Sequence, residues 1–130
     1  MKKTLASVIV CVSLFGGTLF AGPPAYLTDT LPPNAMEAIM KALGAMQSEG
    51  AALDPKTREL IALGVAAQIP CEYCTHAHTA RLQKMGASDA EIREAIAMAG
   101  MIRMFSTVLN GSNYDFDKFT EEFDSRLAAN

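Results

Sequence analysis

The chain has 130 residues, half of them hydrophobic and 19% charged, with a formal net charge of −3. That length suits a single domain. A mildly acidic balance with no basic run excludes an electrostatic footprint for nucleic acid.

Residues 1–21, MKKTLASVIVCVSLFGGTLFA, place Lys2 and Lys3 before an uncharged run that lasts to Ala21. This is the charged-then-apolar pattern of a secretory signal, with cleavage expected near Ala21. The run is also about long enough to span a bilayer, so an uncleaved anchor is the alternative. Removing Lys2 and Lys3 from the 11 basic residues leaves 9 against 14 acidic ones, a net charge of −5. Cys11 leaves as well, so the exported chain would keep one cysteine pair, Cys71 and Cys74, in a compartment where disulfides persist.

Residues 22–34, GPPAYLTDTLPPN, hold four prolines and read as an extended linker. From residue 35, Met36, Ile39, Met40, Leu43 and Met46 recur at helical spacing, with Asn34 and Glu37 as a capping box and Gly50 as terminator. A second helix starts at Asp54 and Pro55 and stops at Pro70. A third runs from Cys71 to Lys84, ended by Gly86. Ser88 and Glu91 cap a fourth, whose apolar side includes Ile92, Ile96, Ile102 and Phe105, with a turn at Asn110-Gly111. The last helix, 117–128, carries Phe119, Phe123 and Leu127 in a stripe with Phe116. No segment alternates with period two. The expected fold is an all-α domain of about five helices, residues 35–130.

The chemistry concentrates in 71-CEYCTHAHTA-80. On a helix, Cys71, Cys74 and His78 fall within roughly 60° of one another, while His76 and Tyr73 are displaced. A thiol at the start of a helix gains from the unpaired N–H groups and the positive dipole end. An imidazole one turn beyond Cys74 can take up a thiol proton. Structural zinc on Cys71, Cys74, His76 and His78 would need all four to converge, which one helix does not allow. A disulfide closing so short a loop is a weak stabiliser, though a passive bridge is an open reading. Met98, Met101 and Met104 repeat at three-residue spacing and read as core filler rather than a copper site. Glu59 lies twelve residues before Cys71 on the second helix. A hairpin pivoting at Pro70 could return it to the third helix, but spacing alone favours a solvated carboxylate.

Glu59, Cys71, Cys74 and His78 together follow the pattern E-x11-C-x2-C-x3-H. With the flanks 54-DPKTRELIALGVA-66 and 85-MGASDAEIREAIAMA-99, this resembles the alkylhydroperoxidase D-like branch of the carboxymuconolactone decarboxylase family over roughly residues 35–110. The resemblance implies a compact all-helical homo-oligomer, often a trimer or hexamer, that reduces hydroperoxides without a cofactor or metal. It implies Cys74 as the peroxide-attacking thiol, Cys71 as its disulfide partner, and Glu59 with His78 as the proton relay. The best-known peroxidase members carry a histidine where this chain has Tyr73, and cytosolic members draw electrons from a lipoylated carrier that an exported protein would not meet. The reductant is therefore an unidentified thiol or dithiol. Decarboxylation is disfavoured, because the decarboxylases lack the cysteine pair. Dithiol–disulfide exchange without peroxide preference is the alternative activity, and a helical module with a passive disulfide the alternative without one.

Overall fold

A computed structural model describes residues 23–129; the signal-like segment 1–21 lies outside the described residues. The described residues form six helices and no strand, and they divide into two units at Ser48 and Glu49. Among them, no helix is long and apolar enough to cross a membrane.

The first unit contains α1 (Ala25–Thr28) and α2 (Pro33–Met46). The expected linker therefore includes one helical turn, tied by the Thr30 hydroxyl donating to the Tyr26 carbonyl at 2.6 Å. Helix α2 starts one residue before the expected Asn34 cap, with Pro32 at the N-cap and no side-chain cap bond. Proline at the first helical position has no N–H to satisfy and a φ already suited to the helix. The helix stops at Met46 rather than at Gly50.

The second unit holds α3 (Pro55–Gln68), α4 (Glu72–Lys84), α5 (Asp89–Gly111) and α6 (Phe116–Ala128). Asp54 caps α3 by accepting the Thr57 N–H at 3.0 Å, and the Thr57 hydroxyl donates to its other oxygen at 2.5 Å. Those two bonds hold the Asp54 carboxyl below its ordinary pKa. Pro70 breaks the chain between α3 and α4. The reversal after α4 is a Schellman motif: the Ala87 N–H reaches the Leu82 carbonyl at 2.9 Å and the Gly86 N–H the Gln83 carbonyl at 3.0 Å. Gly86 takes φ 77°, where a side chain would be strained.

Helix α5 is longer than expected. Ser88 and Glu91 form the capping box at its start, and the helix then runs through Asn110-Gly111 without turning. The Asn110 side chain donates back to the Ser106 carbonyl at 2.7 Å, and the reversal falls on Asn113, at φ 49°. There a second Schellman pair forms, Tyr114 N–H to Leu109 and Asn113 N–H to Asn110. Asparagine tolerates the left-handed region better than most residues, so it takes the place that the sequence offered to Gly111.

The core of this unit is small. Leu63 of α3, Leu82 of α4 and Ile92 of α5 meet at its centre, with Leu60 and Ala87 against them. α3 and α5 pack closely at Gly64, where a Cβ would be in van der Waals contact, 3.6 Å from both the Ala95 carbonyl and the Ala99 methyl. Arg103 of α5 ties the end of α3, donating from Nε to the Gln68 side chain at 2.9 Å and from Nη2 to the Gln68 carbonyl at 3.0 Å.

Beyond Ile92, the expected apolar face of α5 lies outside the core of the described residues, and so does that of α6. Met98, Met101, Met104 and Phe105 are each about half exposed, and so are Phe119 and Phe123 to a similar degree. Phe116, Phe119 and Phe123 instead stack on one another along α6, with centroids 6.5 and 5.7 Å apart. Their periodicity marks a face that the described residues do not bury.

Candidate active site

The site is built by the α3–α4 hairpin. Cys71 is the N-cap of α4 rather than part of its first turn, in extended backbone with φ −94° and ψ 98°. Its sulfur accepts the Cys74 N–H at 3.2 Å, the role an oxygen plays in a Ser or Thr cap. Its own N–H donates to the Ala66 carbonyl at 3.1 Å, and its carbonyl accepts the first helical bond from Thr75 at 2.9 Å. The backbone at Cys71 is thus fixed on both sides by α3 and α4. Cys71 and Cys74 are joined as a disulfide, with Cα atoms 5.3 Å apart. Both residues are partly buried.

One turn beyond Cys74, His78 meets Glu59 across the hairpin. Nδ1 lies 2.6 Å from Glu59 Oε2, between residues nineteen positions apart. Glu59 is the one charged or polar residue among those fully buried in the described chain, at 8% exposure. It is not the solvated carboxylate that spacing alone favoured, because the turn at Pro70 folds α3 back along α4. A carboxylate only accepts, so Nδ1 donates and Nε2 is the nitrogen left to exchange a proton. An imidazole of fixed tautomer, oriented by a buried acid, is the arrangement that activates a neighbouring nucleophile. The helix spacing of Cys74 and His78 puts that nucleophile on the same face.

Sequence reasoning passed over Arg81. Its Nη1 stands 3.6 Å from the other Glu59 oxygen, Oε1. It lies three residues after His78 on the same helix face, a spacing that by itself does not distinguish it from any exposed helical arginine. Tyr73 is 82% exposed and His76 is exposed, so neither joins the Glu59–His78 pair. Among the described residues, no three His, Cys, Asp or Glu side chains converge as metal ligands. An open groove of about 730 Å³ runs between α3 and α5, lined by Ile61, Val65, Ile69, Met98 and Ile102 among others. None of Glu59, Cys71, Cys74 or His78 lines it.

The model of the carboxymuconolactone decarboxylase family matches residues 33–113, more than half of the chain. The chain belongs to that family. An uncharacterized protein of Haemophilus influenzae is 54% identical over 46 residues, which are 35% of this chain and 40% of that one. A Paracoccus denitrificans relative, described as uncharacterized protein 4 in cox locus, is 38% identical over 52 residues, 40% of this chain and 47% of that one. The chain thus spans less than half the length of each curated relative. A crystal structure of a Methanobacterium thermoautotrophicum protein superposes with a TM-score of 0.60 at 27% identity, covering 68% of this chain and 96% of that one. The family includes alkylhydroperoxidase-like enzymes, and the CxxC disulfide of this member supports a redox role.

Proposed function

We propose that this family member is an exported thiol peroxidase that cycles Cys71 and Cys74 between dithiol and disulfide. The observation that carries the reading is the buried Glu59–His78 pair one helical turn from a formed CxxC disulfide. His78 Nε2 takes the Cys74 proton, and Glu59 stabilises the imidazolium that results. The Cys74 thiolate attacks the distal oxygen of a hydroperoxide. The O–O bond breaks, Cys74 becomes a sulfenic acid, and the alkoxide leaves as alcohol with the proton from His78. The Cys71 thiol then displaces hydroxide from that sulfur, which departs as water, and the disulfide closes. An external thiol or dithiol returns two electrons by exchange and is itself oxidised to a disulfide.

Capping supports the assignment of Cys71 as the second thiol. Where Cys71 is a thiolate, the Cys74 N–H and the helix dipole stabilise it. In the reductive step a reductant thiolate attacks Cys74, and Cys71 is the better leaving group. The same feature favours the second reading, a dithiol–disulfide exchanger without peroxide preference. The half-exposed apolar faces of α3, α5 and α6 support assembly as a homo-oligomer.

The test is to pre-reduce the protein, add one equivalent of hydrogen peroxide or an organic hydroperoxide, and follow the loss of free thiols. The proposal expects both thiols to disappear far faster than those of free cysteine, and a Cys74→Ser variant to lose that advantage. Rates no faster than free cysteine, with rapid reaction toward protein disulfides, would leave the exchanger as the activity.

A further inference from the structure

The Glu59–His78 pair has a third member that the proposed chemistry does not use. Glu59 is almost fully buried, and its two oxygens face different partners from the same helix. Oε2 binds His78 Nδ1 at 2.6 Å, and Oε1 faces the Arg81 guanidinium at 3.6 Å. The second distance is too long for a hydrogen bond, so what Arg81 supplies is charge. A carboxylate stripped of water needs a positive partner. Were the imidazole its one neighbour, the pair would shed the uncompensated charge either as imidazolium or as a neutral carboxyl donating to Nδ1, and in both states Nε2 carries a proton and cannot accept one from a thiol. Arg81 is always charged.

We infer that Arg81 is a positioning residue of this site: it supplies the counter-charge that lets Glu59 stay ionised while His78 stays a neutral base. Its guanidinium acts through Glu59 and touches no reacting atom. Its side chain is 46% exposed while those of Glu59 and His78 are 11% and 22% exposed, so it reaches the carboxylate from the solvent side. Because the contact is one of charge rather than of a bidentate fork, a lysine can replace it in kind, whereas a neutral side chain of similar size cannot.

The consequence for rate rests on the thiol reaction proposed above; the consequence for His78 does not. Arg81→Gln and Arg81→Lys are prepared in the full chain beside the unaltered protein. Each is reduced, and His78 is observed by ¹⁵N NMR at pH 7.5, with circular dichroism melting as the check on folding. The unaltered protein should show one protonated ring nitrogen, Nδ1. Arg81→Gln should show a proton on Nε2, together with thiol oxidation by hydrogen peroxide slowed about tenfold, the scale on which residues that orient a reactive group act. Arg81→Lys should restore the signature of the unaltered protein and most of the rate. The inference is overturned if Arg81→Gln keeps the signature of the unaltered protein, or if Arg81→Lys behaves as Arg81→Gln does. Should the unaltered protein react with peroxide no faster than free cysteine, the peroxidase reading fails while the NMR comparison still decides the role of Arg81.

Discussion

Leu82 is the side chain on which the geometry of the site rests most heavily. It is fully buried, it meets Leu63 and Ile92 where α3, α4 and α5 come together, and it stands one turn after His78 and next to Arg81. Leu82→Ala removes three carbons from that point. Transfer alone costs about 2.4 kcal/mol at about 0.8 kcal/mol per methylene, and the cavity left behind raises the total to about 3–4 kcal/mol. In a domain whose stability is on the order of 5–15 kcal/mol, that is a large share, because so few other side chains are fully buried. Leu60, only partly buried against the same cluster, is the internal control, and Leu60→Ala should cost less than half as much. Urea unfolding followed by circular dichroism measures both, with the denaturant slope unchanged in each. A Leu82→Ala loss below about 1 kcal/mol, or one equal to that of Leu60→Ala, would refute the placement of the core at the α3–α4–α5 junction.

Two further outcomes follow from the caps and turns of the second unit. Glu91 is held at a pKa of about 2, against an ordinary 4.5, first by Lys56 at 2.6 Å and then by the Ser88 backbone and hydroxyl. A depressed carboxyl stabilises the fold above its unfolded pKa and loses that contribution as pH falls through the folded one. Lys56→Met should therefore be less stable than the unaltered protein at neutral pH, with the gap closing between pH 4.5 and about 2 in a series of melting curves. Gly86→Ala places a side chain at φ 77° and should cost about 1 kcal/mol by urea unfolding, from backbone strain alone, since a Cβ there meets nothing within 4 Å.

Much of the fold was legible in the sequence because its punctuation is strong. Asp54-Pro55, Pro70, Gly86 and the Ser88–Glu91 box each impose a local geometry that tertiary packing has no reason to override, and the structure places helix ends at or next to each of them. Asn110-Gly111 misled, because a dipeptide that permits a turn does not require one. The helix continued through Gly111 and closed at Asn113, which could adopt the positive φ itself. The apolar stripes of α5 and α6 told of amphipathicity but not of what covers them, since periodicity is silent on whether the partner is the same chain.

The site divides in the same way. Cys74 and His78 lie on one helix, so their shared face followed from the 3.6-residue repeat, and Cys71 caps that helix. The helix boundary did not, and with Cys71 as cap its sulfur binds a backbone N–H that a residue inside the helix would not reach. Glu59 depends on the angle of a hairpin, which no local rule fixes; only the family pattern pointed to it. Arg81 was invisible for the reason that exposed arginines on helices are ordinary, and its importance appears only once a buried carboxylate is found beside it.

The central claim is that peroxide oxidises Cys74 and that Cys71 then closes the disulfide. Its most direct test is a Cys71→Ser variant, pre-reduced, treated with one equivalent of hydrogen peroxide in the presence of dimedone, and mapped by mass spectrometry. The account predicts a dimedone adduct on Cys74, at a yield that falls when His78 is replaced by Phe. No adduct on Cys74, alongside one on Cys71 in the matching Cys74→Ser variant, would contradict it.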